Sequence, residues 1–134
     1  MDDVLKLEVQ RWMCLASDDL DSAKELMKRE PPITRNACFL TQQCVEKSFK
    51  AYLVSQGQHI EKTHFLLRLH TLCRNIDSEF NKYREHAQNL TDYAVRTRYP
   101  NDWRDFPVDE AKEAIVKAEE VIVFVYEKLK AYLI

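Results

Sequence analysis

Apolar residues recur every three or four positions along most of this chain, the period of amphipathic helices rather than strands. From about Asp3 to Arg29 the positions Leu5, Val9, Trp12, Ala16, Leu20, Ala23 and Met27 keep that spacing, which predicts one helix roughly 40 Å long at 1.5 Å per residue. Pro31-Pro32 ends it, because the two prolines disfavour α geometry at Glu30 and Pro31 and donate no backbone hydrogen bond. The next helix begins near Ile33 or Thr34, so the connection is short and the pair forms an antiparallel hairpin.

The second helix, through Ala37 to Gln56, is expected at the centre. Ala37, Thr41, Cys44, Ser48 and Ala51 line up as a stripe of small side chains, which lets another helix backbone approach closely. Leu40, Val45, Phe49, Tyr52 and Leu53 widen the apolar face. Gly57 stands where a left-handed residue would cap the carbonyl end. After a polar loop, Thr63 is the expected N-cap of a short third helix carrying Leu66, Leu67, Leu69, Leu72, Cys73 and Ile76. Asp77 or Ser78 opens a fourth helix through Phe80, Tyr83, Ala87, Leu90, Tyr93 and Ala94, stopped by Pro100. A last helix runs from about Asp109 to Tyr132, with Ala111, Ala114, Ile115, Ala118, Val121, Ile122, Val125 and Leu129 as its seam. Val123, Phe124, Tyr126, Tyr132 and Ile134 fall outside that seam, an apolar excess that suggests a two-fold subunit interface. The fold class is all-α, an up-and-down helical bundle of four long helices plus one short helix, in a single domain over residues 1-134.

Composition agrees. One Gly and four Pro in 134 residues, with 46% hydrophobic and 31% charged residues, describe long helices with few turns. Twenty Lys and Arg against 22 Asp and Glu leave a formal charge of -2, so there is no global field for a polyanion, and neither DNA nor a membrane is favoured. Cys14, Cys38, Cys44 and Cys73 sit inside helical patterns, and there is no signal peptide or apolar run of about 20 residues. The chain therefore reads as cytoplasmic with reduced thiols, and Cys14, Cys38 and Cys44 as small core residues. His59, His64, His70 and Cys73 match no usual zinc spacing, so neither a metal nor a cofactor is expected. No glycine-rich phosphate loop or Ser-centred elbow occurs, and Asp18-Asp19 and Glu119-Glu120 point apart on a helix rather than sharing a proton.

Three polar groups remain. Gln42, Gln43, Glu46, Lys47 and Lys50 project from the second helix, either as a solvated face with Glu46 and Lys50 as an i,i+4 pair worth about 0.2 to 0.5 kcal/mol, or as a wall that binds something anionic. Lys62, Thr63 and His64 fall at the amino end of the third helix, where unpaired N–H groups favour an anion. Arg96, Arg98 and Arg104 beside Tyr99, Trp103 and Phe106 offer planar cations and aromatic faces that could stack on a base or plug the end of the bundle. Asp19, near the apolar seam, needs a Lys or Arg from a neighbouring helix.

In order along the chain, Trp12, Ala16, Asp19, Leu20 and Ala23-Lys24, then Cys38-Phe39, Gln42-Gln43 and Val45-Glu46-Lys47, then Lys62-Thr63-His64, then Arg98-Tyr99-Pro100 resemble the HEPN domains (higher eukaryotes and prokaryotes nucleotide-binding). The resemblance covers nearly the whole chain. It implies a helical bundle that forms a homodimer, a prokaryotic origin, and a small nucleotidyltransferase partner in a toxin-antitoxin or related module. It also implies a nucleotide or phosphate site on the matching positions Gln43, Lys47, Lys50, His64, Arg98 and Tyr99. Many HEPN proteins are metal-independent ribonucleases whose signature is an arginine followed, after four to six residues, by a histidine. Here Trp103, Arg104 and Asp105 stand at those distances from Arg98, and Asn101, Asp102 and Trp103 from Arg96. The expectation is therefore a non-catalytic module, with RNA cleavage by a displaced His64 or His86, or a purely structural dimerisation role, as the alternatives.

Overall fold

A computed structural model of the chain describes residues 2–134. Their regular structure is all helical: α1 (Asp3–Lys28), α2 (Thr34–Ser55), α3 (Leu66–Ile76), α4 (Arg84–Leu90), α5 (Tyr93–Arg96) and α6 (Val108–Lys128), with 3₁₀ turns at Ser78–Tyr83, Pro100–Asp102 and Lys130–Tyr132. Among these residues no helix is long and apolar enough to cross a membrane.

The hydrophobic period sets the packing. The Asp2 carboxylate accepts the Val4 N–H at 2.9 Å and starts α1, which buries Val9, Met13, Ala16, Leu20 and Ala23 along one face. α1 runs back along α2 as the expected hairpin, and α2 also touches α3, α5 and α6. The small-residue stripe explains that central position: Ala37, Thr41, Cys44, Ser48 and Ala51 are all fully buried, and side chains of that size let helices pack on several sides. Asp19 has the partner it needs, Lys47 of α2 at 2.5 Å. Burial pushes the Cys38 thiol up to about 11 and the Cys44 thiol up to about 12, so both stay protonated as core residues. Cys14, expected with them, is exposed instead, because it lies on the face of α1 turned away from α2.

The fourth helix is not continuous. Phe80 is fully buried in an aromatic cluster, 4.6 Å from Tyr52 and 5.0 Å from Phe124 between ring centroids. His70 Nε2–H donates to the Phe80 carbonyl at 2.7 Å, and burial holds this imidazole below its ordinary pKa, neutral. Arg84 N–H bonds the Asn81 carbonyl instead, one residue short of the α pattern, so the segment tightens to 3₁₀ before α4 begins. A second break at Thr91 and Asp92 separates α4 from α5. Phe124 and Tyr132, expected on an outer face, turn inward: Phe124 packs on Phe80 and Tyr83, and the Tyr132 hydroxyl donates to the Ser55 carbonyl at 3.1 Å. Val123, Tyr126 and Ile134 do stay exposed.

α2 ends as its glycine predicts. Gly57 has φ 73°, its N–H bonds the Val54 carbonyl, and Gln58 N–H bonds the Leu53 carbonyl, both at 3.0 Å, the paired bonds of a Schellman cap. A Cβ at this position would meet nothing within 4 Å, so only backbone strain opposes a side chain. Gly57→Ala is expected to cost about 1 kcal/mol, read as a lower urea midpoint with an unchanged slope.

Candidate functional site

The polar face of α2 is not a solvated surface. Gln42, Glu46 and Lys50 stand at i, i+4 and i+8 on one side of the helix, and all three are buried beneath α1 and the segment that follows Gly57. A buried carboxylate is costly unless it is paired and hydrogen-bonded, and Glu46 is both. Its Oε2 accepts from Lys50 Nζ at 3.0 Å, with the two side chains only 5% and 8% exposed. Its Oε1 accepts from His64 Nδ1 at 2.8 Å. Gln42 Nε2 bonds the His64 carbonyl at 2.8 Å and lies 3.4 Å from Glu46 Oε1, while Gln43 Nε2 donates to Gln42 Oε1 at 2.7 Å. Both the ring and the backbone of His64 are thus tied to α2.

His64 is otherwise open, 65% exposed. With Nδ1 committed to the carboxylate, the ring is held in one orientation and Nε2 is left without a partner among the described residues. His64 shares a hollow of about 230 Å³ with Lys62, Thr63, Phe65, Thr91, Asp92, Val95 and Arg98. The Arg98 guanidinium carbon lies 5.3 Å from the Phe39 ring and 5.6 Å from the Tyr99 ring. Ion pairs surround the hollow, but among the described residues neither Lys62 nor Arg98 is in one. Asp92 leans to Arg96 at 3.7 Å. The hollow therefore offers two uncommitted cations, an imidazole nitrogen and aromatic edges, an arrangement suited to a phosphate group.

Of the six positions expected at the site, His64 and Arg98 line the same hollow. Tyr99 flanks Arg98, and Gln43 acts at one remove through Gln42. Lys47 and Lys50 are not brought into this hollow, since Asp19 and Glu46 neutralise them. Glu46 and Gln42, expected only as members of the polar wall, and Lys62, expected only at the amino end of the third helix, join the site as well. The start of α3 is not an open anion site either. Phe65 N–H is taken by Thr63 Oγ1 at 3.2 Å, and Leu66 N–H by Thr91 Oγ1 at 2.9 Å. Phe65, not Thr63, is the N-cap residue, and the first helical N–H is satisfied by the distant Thr91 hydroxyl. His86 does not line the hollow; its Nε2 faces Glu120 at 3.1 Å on α6. No group of three or more His, Cys, Asp or Glu among the described residues is placed to hold a metal ion.

Most of the loop before α6 is a plug. Arg104 makes two bonds to Glu110, at 2.9 and 2.6 Å, and lies 4.0 Å from the Phe106 ring centroid. The Tyr93 hydroxyl donates to Glu110 at 2.5 Å. Arg35 lies 4.0 Å over Trp103 and donates to the Arg104 carbonyl at 2.6 Å. Of the cations and aromatics in this stretch, Arg96, Arg98 and Tyr99 stand outside the plug.

The family model for the HEPN domain matches residues 9–129. No curated protein matches the chain. Among solved structures, the protein TT1696 from Thermus thermophilus is 29% identical, with a TM-score of 0.77 over 90% of this chain and 98% of that one. ST0689, described as an archaeal HEPN homologue, is 25% identical, with a TM-score of 0.70 over 90% of this chain and 97% of that one.

The plug generates a pH dependence. The Arg104 guanidinium, together with the Tyr93 hydroxyl, holds Glu110 below its ordinary value of 4.5 against the opposing effect of burial. A lowered carboxyl pKa contributes stability that is complete above the unfolded value and is lost as pH falls through the folded one. Glu110→Gln is expected to cost about 1 to 3 kcal/mol at pH 7. Between about pH 5 and pH 3 the variant should lose less stability than the parent, as urea titrations at each pH will record.

Proposed function

The chain belongs to the HEPN domain family, and on that premise we propose that it is a non-catalytic module that binds a nucleotide or another phosphate-bearing ligand. The observation that carries this reading is the meeting of His64, Lys62 and Arg98 on one hollow, with both cations outside any internal ion pair among the described residues. Arg98 supplies a planar fork for phosphate oxygens, Lys62 a mobile point charge, and Tyr99 and Phe39 the faces that hold the guanidinium in place. The rest of the α2 wall supports rather than binds: Gln42, Gln43 and Glu46 position His64, and Lys47 locks α1 to α2 through Asp19.

The proton inventory supports the non-catalytic reading. Cleavage by a neighbouring 2′-hydroxyl needs one group to take its proton and another to protonate the leaving oxygen on the opposite side of the phosphorus. One hollow contains one imidazole, and no histidine follows an arginine at the ribonuclease spacing. The second reading, a ribonuclease with a displaced histidine, draws on the Glu46–His64 pair, since a carboxylate-oriented imidazole beside an arginine is the arrangement of a general base. Exposed Val116, Val123 and Tyr126 on α6 support a homodimer. The small nucleotidyltransferase partner and the toxin-antitoxin setting rest on the family alone.

Calorimetry with inorganic phosphate and pyrophosphate at low ionic strength tests the binding. Arg98→Ala is expected to weaken it by about tenfold or more, about 1.4 kcal/mol, while Lys47→Ala leaves it unchanged. Absence of binding by the parent protein would overturn the reading. Single-stranded RNA incubated with EDTA should stay intact; cleavage abolished by His64→Ala would put the ribonuclease in its place.

A further inference from the structure

α6 carries two seams. Its buried face runs through Ala111, Ala114, Ala118, Val121 and Val125, three and four positions apart. Two positions on, about 200° around a helix of 3.6 residues per turn, a second stripe keeps the same spacing: Glu113, Val116, Glu120, Val123 and Glu127. All five are exposed. A helix that packs on its own domain through one face needs only one stripe. Alternation of three and four is the spacing at which a helix lays a continuous seam along a second helix. Helix formation itself does not explain the outward valines, because a β-branched side chain lowers helix propensity.

The outer stripe borders two hollows that follow one another on the α4 side of α6. The first, of about 440 Å³, is lined by Tyr83 and Phe124, whose ring centroids lie 4.8 Å apart, and by Glu119, Glu120 and Glu127. The second, of about 330 Å³, is lined by His86, Lys112, Glu113 and Lys117. Val116 and Glu120 belong to both, so the two form one groove. We infer that this groove is a docking surface for an amphipathic helix of another protein, apolar where it meets Val116 and Val123 and carrying Lys or Arg opposite Glu120 and Glu127.

Charge selects that occupant. Glu113 has no partner among the described residues. Glu120 faces His86 Nε2 at 3.1 Å and Glu127 faces Lys130 at 2.7 Å, with the two carboxylate side chains 51% and 57% exposed. Exposed pairs of this kind contribute little, so a cation from outside can replace the partner. The seam does not suit a second copy of itself. In a parallel two-fold pair each of its three glutamates would face its own counterpart. In an antiparallel pair that sets valine against valine, the adjacent Glu119 and Glu120 would face the same two residues of the other chain. A basic helix meets attraction instead, and the rings of Tyr83 and Phe124 offer a surface for the stem of a Lys or Arg. Lys112 and Lys117 bound the acidic stretch toward the start of α6, so the basic residues of the occupant gather toward the end of α6. Tyr126 turns to the other side of the helix, beside Cys14 and Leu133, and a second copy docked there leaves this groove open.

Two fluorescein-labelled peptides of about three heptads test the surface. One carries Leu at the a and d positions and Lys at e and g, where like charges keep it from pairing with itself; the other carries Glu in place of each Lys. Fluorescence anisotropy at low ionic strength should show saturable binding of the Lys peptide, with the Glu peptide at least about tenfold weaker. A protein with Glu113→Lys, Glu120→Lys and Glu127→Lys should reverse that order. Val116→Ser with Val123→Ser should weaken the Lys peptide about tenfold; if the charge-reversed protein does not fold, this pair decides. Failure of the parent protein to bind the Lys peptide, or binding indifferent to these substitutions, would overturn the inference. Sedimentation gives the second readout: the valine variant should keep the oligomeric state of the parent. A dimer lost with the two valines would seat a second copy on the stripe and overturn the inference as well.

Discussion

A carboxylate buried on the central helix is the constraint around which this molecule is arranged. Glu46 cannot be taken from water without partners, and its surroundings supply them from both sides. Lys50 comes from the next turn of the same helix and His64 from the segment beyond the glycine, while Gln42 holds the His64 backbone. Satisfying the carboxylate therefore also positions an imidazole, and the imidazole then stands opposite Arg98. Stability and site geometry share one set of contacts. A single pair on an exposed helix face would contribute only a few tenths of a kcal/mol; burial changes the meaning of the same i,i+4 spacing.

The remaining cations divide by whether they have been claimed. Lys47, Lys50 and Arg104 are each held by a carboxylate belonging to the fold: Lys47 joins α2 to α1, Lys50 neutralises Glu46 within α2, and Arg104 helps close one end of the bundle. Lys62 and Arg98 have no such claim on them. In a chain with a formal charge of -2, a local concentration of unclaimed positive charge is more informative than the total, because it is what the fold has left for something else.

Much of this is legible in the residues, and the departures have definite causes. Helix order, the hairpin at Pro31-Pro32, the small-residue face of α2 and the cap at Gly57 follow from periods and turn chemistry that act locally. Asp19, by its place near the seam, calls for a cation, and Lys47 answers it. The fourth segment departs from its pattern because Phe80, Tyr83 and Ala87 keep a helical spacing while a distant side chain, His70, engages a main-chain carbonyl; nothing near Phe80 in sequence announces that. Thr63 has the position of a cap, whereas the hydroxyl in use is 25 residues downstream of the N–H it receives. Among the expected site residues, His64 and Arg98 follow from the family pattern and line one hollow. Lys47 and Lys50 do not, because lysines on a polar face look free until the acids opposite them are known. Glu46 is legible as the i,i+4 partner of Lys50, but its second bond, to His64 beyond the glycine, is not, because that contact is non-local.

The bond from Leu66 N–H to the Thr91 hydroxyl does more than finish a helix. Thr91 belongs to the short turn that leads through α5 to Arg98, and Leu66 follows His64 by two residues, so a 2.9 Å contact ties the two jaws of the hollow together. One short bond between residues far apart in sequence thus sets the register of the segment carrying His64 against the segment carrying Arg98, so the spacing of the two walls is fixed by the backbone of α3 and not by the site residues themselves.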